Sequence, residues 1–552
     1  MQSTTTTTTT GWFSLLRGVG AVLVTAALLF AAGCDSNDSG MNGNGNGNGN
    51  GDGGSSTTEN VNYDTTSISG GPDEIIVSDA AEGRGISYLD ADSNVVNDVT
   101  WSSDFIYKLD NFVFVNEGET LNIEPGTVVQ GLPGSGENAS ALIVARGGQI
   151  NADGERDDGS IDPIIFTAEG DEGEGLGRSV RGQWGGVILL GDAPINPEPS
   201  VKSIEGVPTS ETRAQYGAEN GDFNPEHDIG TFRYVSIRHT GTTLGSGSEI
   251  QGLTMGALGN QSTVEYVESY ASDDDGYEWF GGTVNTKYLI AAWASDDSFD
   301  MDEGYQGSNQ FWLAVQATDA AGRISEMDGG TDPETGQPFA TVKVANATYI
   351  GIGPGVEGTQ GDGNEPYLIH RDNNATSYYN TVFMDARFTG KGLQIEDKPS
   401  GSGADSRDRW RDDTEEGRVL RHENNLWWNV GANYVDPSAS DGTTFEDIIQ
   451  LTGDGDGGTD FRGNLATYLR DKNNRLLSQS PIESMDRSSN GVINQFNPRA
   501  VGPADASPPA PSVFGDVGGV NSNYESVDYY GAFGGENWAS GWTLLSQNGT
   551  LQ

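Results

Sequence analysis

The chain has 552 residues, 80 of them glycine, with 34% hydrophobic residues and a formal net charge of -52 at pH 7. Glycine weakens helices and the apolar supply is thin, so a compact helical protein is excluded in favour of short strands joined by many turns. A field of this sign repels polyanions, so no nucleic acid partner is expected.

The charge comes from 81 Asp and Glu against 29 Lys and Arg. An acidic, lysine-poor surface suits a halophile setting, where salt screens self-repulsion, and it equally suits cationic partners.

Residues 1–34 read as an export signal. Arg17 precedes an apolar run from Val19 to Ala32, too short to span a bilayer but of the right length for a signal-peptide core. The run ends in Ala-Ala-Gly-Cys, and Cys34 is the only cysteine in the chain. This resembles the lipobox of bacterial lipoproteins, whose cysteine is diacylated and becomes the new N-terminus; Ala31 stands where that motif usually has leucine. Lipidation at Cys34 is therefore expected, with a buried core thiol as the alternative. The expected location is exported, lipid-anchored to the outer membrane at the cell surface or its periplasmic face. Residues 35–75, rich in Gly, Asn and Ser, have nothing to bury and are predicted to form a disordered tether, with a reach on the order of 30 to 35 Å.

From residue 76 a repeat sets in. Leu121, Ile143, Ile165 and Val187 fall at equal steps, Gly126 and Val128 recur as Gly148 and Ile150, and Val267, Leu289 and Phe311 make a second series. A period of about 22 residues indicates a solenoid. The leucine-rich-repeat pattern is missing, whereas β-branched residues between Gly, Asn and Asp turns fit stacked short strands. The predicted fold is all-β: a right-handed single-stranded parallel β-helix over 76–400. Turn insertions are expected at Glu169–Gly182, Pro197–Gly230 and after Asp328.

Two passages within this repeat carry chemistry. "SDDDGYEWFGG" (Ser272 to Gly282) is followed one period later by "SDDSFDMDEG" (Ser295 to Gly304), acid over acid and aromatic over aromatic. Adjacent coils lie roughly 4.8 Å apart, which stacks Asp274 on Asp296, Asp275 on Asp297 and Glu278 on Asp300. Each such pair repels by about 3 to 4 kcal/mol at the effective dielectric of a protein surface. Protonation, full solvation or a bound cation relieves this. Hard oxygen donors suit Ca²⁺, giving Asp274, Asp275, Glu278, Asp296, Asp297, Asp300 and Asp302 as candidate metal ligands, with Glu326 and Asp328 as a possible third rung. The alternative is that the aspartates only cap turn amides, and a third is a catalytic carboxylate cluster. His227, His239, His370 and His422 show no metal-pair spacing. Tyr277, Trp279, Phe280, Trp293, Phe299 and Tyr305 either pack between rungs or offer a sugar-stacking surface.

Residues 401–552 form a C-terminal extension. "RGNLATYLRDKNN" is expected to be a short helix, "DGDGGTD" (Asp454 to Asp460) is an incomplete Ca²⁺ loop, and the aromatic tail "VDYYGAFGGENWASGWTLL" is predicted to cap the open end of the stack.

The segments "IEPGTVVQG", "ALIVARGGQINADG", "GQWGGVILLGDAPIN", "DDDGYEWFGGTVN", "DDSFDMDEGYQG" and "YYGAFGGENWASGWT" together resemble a family of secreted, pectate-lyase-like β-helix lipoproteins of Bacteroidota and marine proteobacteria. The resemblance implies the fold over most of residues 100 to 545 and no particular reaction. The functional expectation is a lipid-anchored binding or structural module stabilised by Ca²⁺, its partner a glycan or another cell-surface protein. The alternatives are a polysaccharide lyase or glycoside hydrolase acting on acidic glycans, and an accessory lipoprotein of an outer-membrane nutrient-uptake system. No catalytic residue is singled out: the Gly-His-Gly and Arg-x-Lys motifs that galacturonan hydrolases carry are missing.

Overall fold

The computed structural model describes residues 63–552 apart from short stretches, of which the longest are 357–365, 399–404, 412–419, 451–457 and 509–522. The signal segment and Cys34 lie outside the described residues. Three columns of parallel strands wind around one apolar core. The first column runs from Asp98–Trp101 through Thr120–Ile123 and Gln149–Asp153 to Gly230–Arg238 and onward. The second begins at Asp73–Ser78 and passes through Phe105–Asp110, Val128–Gly131 and Ile164–Ala168. The third stacks Phe112–Val115, Ala141–Val144, Val187–Leu190, Leu253–Gly256, Tyr277–Phe280, Phe299–Asp302, Ser325–Asp328, Leu368–Arg371 and Leu393–Ile395. This is the expected parallel β-helix. Among the described residues no helix is long and apolar enough to cross a membrane.

Strand alternation sets the core. Leu253, Tyr277 and Phe299 point inward at successive rungs of the third column, as do Met255, Trp279 and Met301, and all six are fully buried. The interior rings stack: Tyr277 on Phe299 at 5.4 Å and Phe299 on Trp312 at 4.4 Å. Tyr277, Trp279, Phe299 and Tyr305 are therefore rung packing and offer no sugar platform.

The first and second columns meet at a bend where each rung carries one left-handed residue. Tyr234, Tyr266, Tyr288, Phe311, Asn346, Asn380, Asn424 and Asn473 all have positive φ there. Asn tolerates this region well and a bulky ring does not. The aromatic half is offset by outward stacking, with Tyr234 on Tyr266 at 4.4 Å, Tyr266 on Tyr288 at 4.2 Å and Tyr288 on Phe311 at 4.9 Å.

Four expectations need correction. First, the series Leu121, Ile143, Ile165, Val187 is not one column: Leu121 pairs with Ile150, Ile143 with Phe114 and Ile188, and Ile165 with Val128. Coil length varies with the insertions, so one fixed step lands on different faces; it holds for Val267 over Leu289 but slips by one before Leu313, which pairs with Ile290. Second, strand structure begins before residue 76: Tyr63–Thr66, inside the span expected to be tether, pairs antiparallel with Asp73–Ser78. Third, the helix continues past 400 through His422–Glu423, Leu426–Trp428 and Arg475–Leu476. Fourth, the aromatic tail does not cover the end of the stack. The expected helix, Gly458–Asp471, buries Phe461, Leu465, Ala466 and Leu469 against the main core beside the last rungs. Only Gly458 to Asp460 of the "DGDGGTD" passage fall in this helix; the rest lies outside the described residues. The tail instead lies along the side, with Trp538 and Trp542 edge-on to the tyrosine ladder.

Candidate functional site: a buried acidic stack

The outward positions of the third column hold the acids. Glu278 sits opposite Asp300, which sits opposite Glu326, so three tiers stack in register. The second rung repeats the first after 22 residues, seen in the bond from Asp297 N to Asp275 Oδ1 at 2.8 Å. Insertion loops cover this face and bury it: Asp275 is 7% exposed and Glu278 6%.

The seven candidate ligands divide. Oxygens of Asp274, Asp275 and Asp296 lie within 4.8 Å of one another, as do those of Asp275, Glu278 and Asp300, so Asp275 belongs to both groups. Asp297 and Asp302 belong to neither group. Asp297 accepts from the Arg323 amide and pairs with its guanidinium at 3.5 Å, while Asp302 accepts from Thr331 Oγ1 at 2.7 Å and from the Glu303 amide at 2.6 Å. The turn-capping alternative thus holds for part of the set: Asp275 and Asp297 each accept the amide of a residue on the next tier.

On the third tier Glu326 is ion-paired to Arg323 and Arg371, and Asp328 accepts from Arg371 Nε at 2.6 Å and Nη2 at 2.9 Å. Two guanidiniums therefore close the lower end. On the upper two tiers Asp297 shares Arg323, whereas Asp275, Glu278 and Asp300 form no ion pair among the described residues. Glu278 Oε2 and Asp300 Oδ1 are buried and have no hydrogen-bond partner among the described residues, an uncommon state for buried polar atoms.

Burial, and then the neighbouring carboxylates, push Asp275, Glu278 and Asp300 well above the usual carboxylate range. Asp274 is pushed up to about 8 by burial, then by Glu249 and Asp296. So many like charges in low dielectric cannot all ionise without a counter-ion. Sequence reading missed two contributors, Glu205 and Glu249. They come from insertions outside the repeat, and no spacing signals them. Lys287, close to the acids in sequence, pairs instead with Glu525 at 3.2 Å.

A clustered set of hard carboxylate oxygens, two of them without donors, fits a divalent cation such as Ca²⁺, which takes six to eight oxygens in loose geometry. Asp274, Asp275, Glu278, Asp296 and Asp300 would hold it.

His370 and His422, which sequence spacing did not connect, meet in the core with their Nε2 atoms 3.0 Å apart. They occupy neighbouring stretches of the stack although 52 residues separate them, a distance set by the insertions.

Parallel rungs, an interior of stacked rings and an acidic face built from consecutive turns define a β-helix of the pectate-lyase-like class. The chain belongs to that family: the model of the pectate-lyase like beta helix domain matches residues 93–406, more than half of the sequence. No curated protein and no solved structure matches it.

Proposed function

We propose that this protein is an exported, lipid-anchored β-helix that serves as a non-catalytic binding or structural module, with its central rungs held together by Ca²⁺. One observation carries the ion: a carboxylate pair on adjacent tiers, Glu278 and Asp300, each with a buried oxygen that no described residue donates to. The family supplies a scaffold compatible with surface binding, and the export-and-anchor part rests on the sequence around Cys34. A polysaccharide-cleaving reading would need a base facing the acids. The nearest cations, Arg323 and Arg371, are both held in ion pairs with the third tier.

Differential scanning calorimetry in EDTA and in millimolar Ca²⁺ tests the reading. A rise in melting temperature that saturates with Ca²⁺, without chain cleavage of acidic glycans, supports it. No response to Ca²⁺ removes the ion from it, and release of new sugar ends transfers the reading to the enzyme.

A further inference from the structure

A cavity of about 620 Å³ opens where three turns of the third column meet the insertion between Pro197 and Gly230. The turns after Phe112–Val115, Ala141–Val144 and Val187–Leu190 supply Asn116 and Glu117, Arg146, and Asp192, and the insertion supplies Arg213, Glu219 and Asp222. Its volume is within the range that encloses small ligands.

Arg146 is unusual in a chain this acidic. Its Nη1 donates to Gly217 O at 2.8 Å, and no carboxylate lies within ion-pair distance among the described residues. The other guanidinium at the cavity, Arg213, is taken by Glu211 at 2.6 Å and lies over the Phe114 ring at 3.9 Å. Arg146 therefore lines the cavity with only its bond to Gly217 O among the described residues, and a guanidinium fork selects a carboxylate bidentately.

The remaining groups ask for the opposite charge. Glu117, Asp192, Glu219 and Asp222 give four carboxylates to the lining. Asn116 Oδ1 and Asp192 Oδ1 are buried acceptors that receive no hydrogen bond among the described residues. Asp192 also acts electrostatically on His227, which is 7% exposed and whose Nδ1 has no hydrogen-bond partner among the described residues.

A guanidinium with no carboxylate partner among the described residues, set amid surplus acceptors, matches a ligand with one carboxylate and several ammonium groups. We propose that this cavity binds short basic peptides by their C-terminal carboxylate. Arg146 takes the carboxylate; Asp192, Asn116 and the acidic rim take the ammonium groups. The site is independent of the acidic stack and of any ion there.

Calorimetric titration of the full chain with trilysine and with its C-terminal amide, in about 0.15 M salt to screen loose surface attraction, tests this. The acid form is expected to bind at least about tenfold tighter than the amide, although the amide is more cationic, a difference on the scale of a charge-assisted bidentate contact. Arg146→Gln should abolish that preference, and Asp192→Asn should weaken both peptides about tenfold. The ring signal of His227 should move on binding trilysine, and with four histidines in the chain it is assignable. If Arg146→Gln fails to fold, Arg146→Lys keeps the charge but loses the fork and reads the same preference. Amide binding equal to or tighter than acid binding, a preference that survives at residue 146, or no binding at millimolar trilysine overturns the proposal.

Discussion

Glu278 stands directly opposite Asp300 on the adjacent rung, and each keeps a buried oxygen to which no described residue donates. Two carboxylates in that position repel unless a proton or a cation intervenes. Replacing either by its amide should therefore have opposite effects in the two conditions. In EDTA, Glu278→Gln and Asp300→Asn should stabilise the fold at neutral pH by about 1 to 3 kcal/mol, because the amide, unlike the raised acid, need not take up a proton on folding. In Ca²⁺ both should lose the melting-temperature gain of the parent. Calorimetry of parent and variants in the two buffers checks this; equal Ca²⁺ gains in all three proteins would place the ion elsewhere.

Ion binding and pH should be linked with a definite sign. The acids of the stack are raised above their unfolded values, Asp274 to about 8. A raised acid adds stability fully below its unfolded pKa and loses it as pH rises through the folded one. Without Ca²⁺ the melting temperature should therefore fall between about pH 4 and pH 8, relative to the Asp274→Asn variant. Saturating Ca²⁺ should flatten that difference. Thermal melts across this range check it.

The histidine pair should act in the other direction. Burial holds His370 down to about 4, and burial together with His370 holds His422 well below its ordinary value. A histidine with a lowered pKa contributes stability that is present above its unfolded value of about 6.5 and is lost as pH falls toward 4. His422→Phe, whose ring fits beside Phe383 and Trp427, should reduce the loss of stability between pH 6.5 and pH 4 relative to the parent. Denaturant melts at those two pH values, both in Ca²⁺, give the difference.

One carboxylate anchors the last helix of the tail. Glu268, fully buried, accepts from the amides of Leu544 at 2.7 Å and Leu545 at 3.0 Å. Ser236 Oγ donates to it at 2.6 Å and accepts from Arg238 Nε at 2.8 Å. Glu268→Gln removes the charge that buried Arg238 relies on and should cost about 3 kcal/mol. Limited proteolysis should then cut first within 523–552, whereas cutting spread evenly over the chain would show that the residue does not secure the tail.

Much of this architecture was readable where rungs have constant length. Over Tyr277 to Asp302 no insertion interrupts, so one period carries each inward ring and each outward acid onto its neighbour. Upstream the same period misled, because a coil with three strands and elastic turns has no fixed length: Leu142 pairs with Val187 and Val187 with Leu253. The acids were visible for the same reason that the rungs were. What they touch was not. Glu205 and Glu249 reach the stack from insertions whose position depends on loop paths, Arg371 comes from a third-column strand whose register the preceding insertion hides, and the His370–His422 contact joins residues 52 apart. The tail was legible as aromatic, but its destination depended on the tyrosine ladder, whose left-handed backbone no composition signals.

The route of that tail has mechanical consequences. A solenoid held only by nearest-neighbour contacts can come apart one layer at a time from either end. Here residues 524–551 touch Tyr234, Tyr266, Tyr288, Gln310, Asn346 and Asn380 in turn, fastening layers far apart in the stack to one belt. Peeling a terminal layer then loads the belt in shear, and the column is built to yield as a whole or not at all.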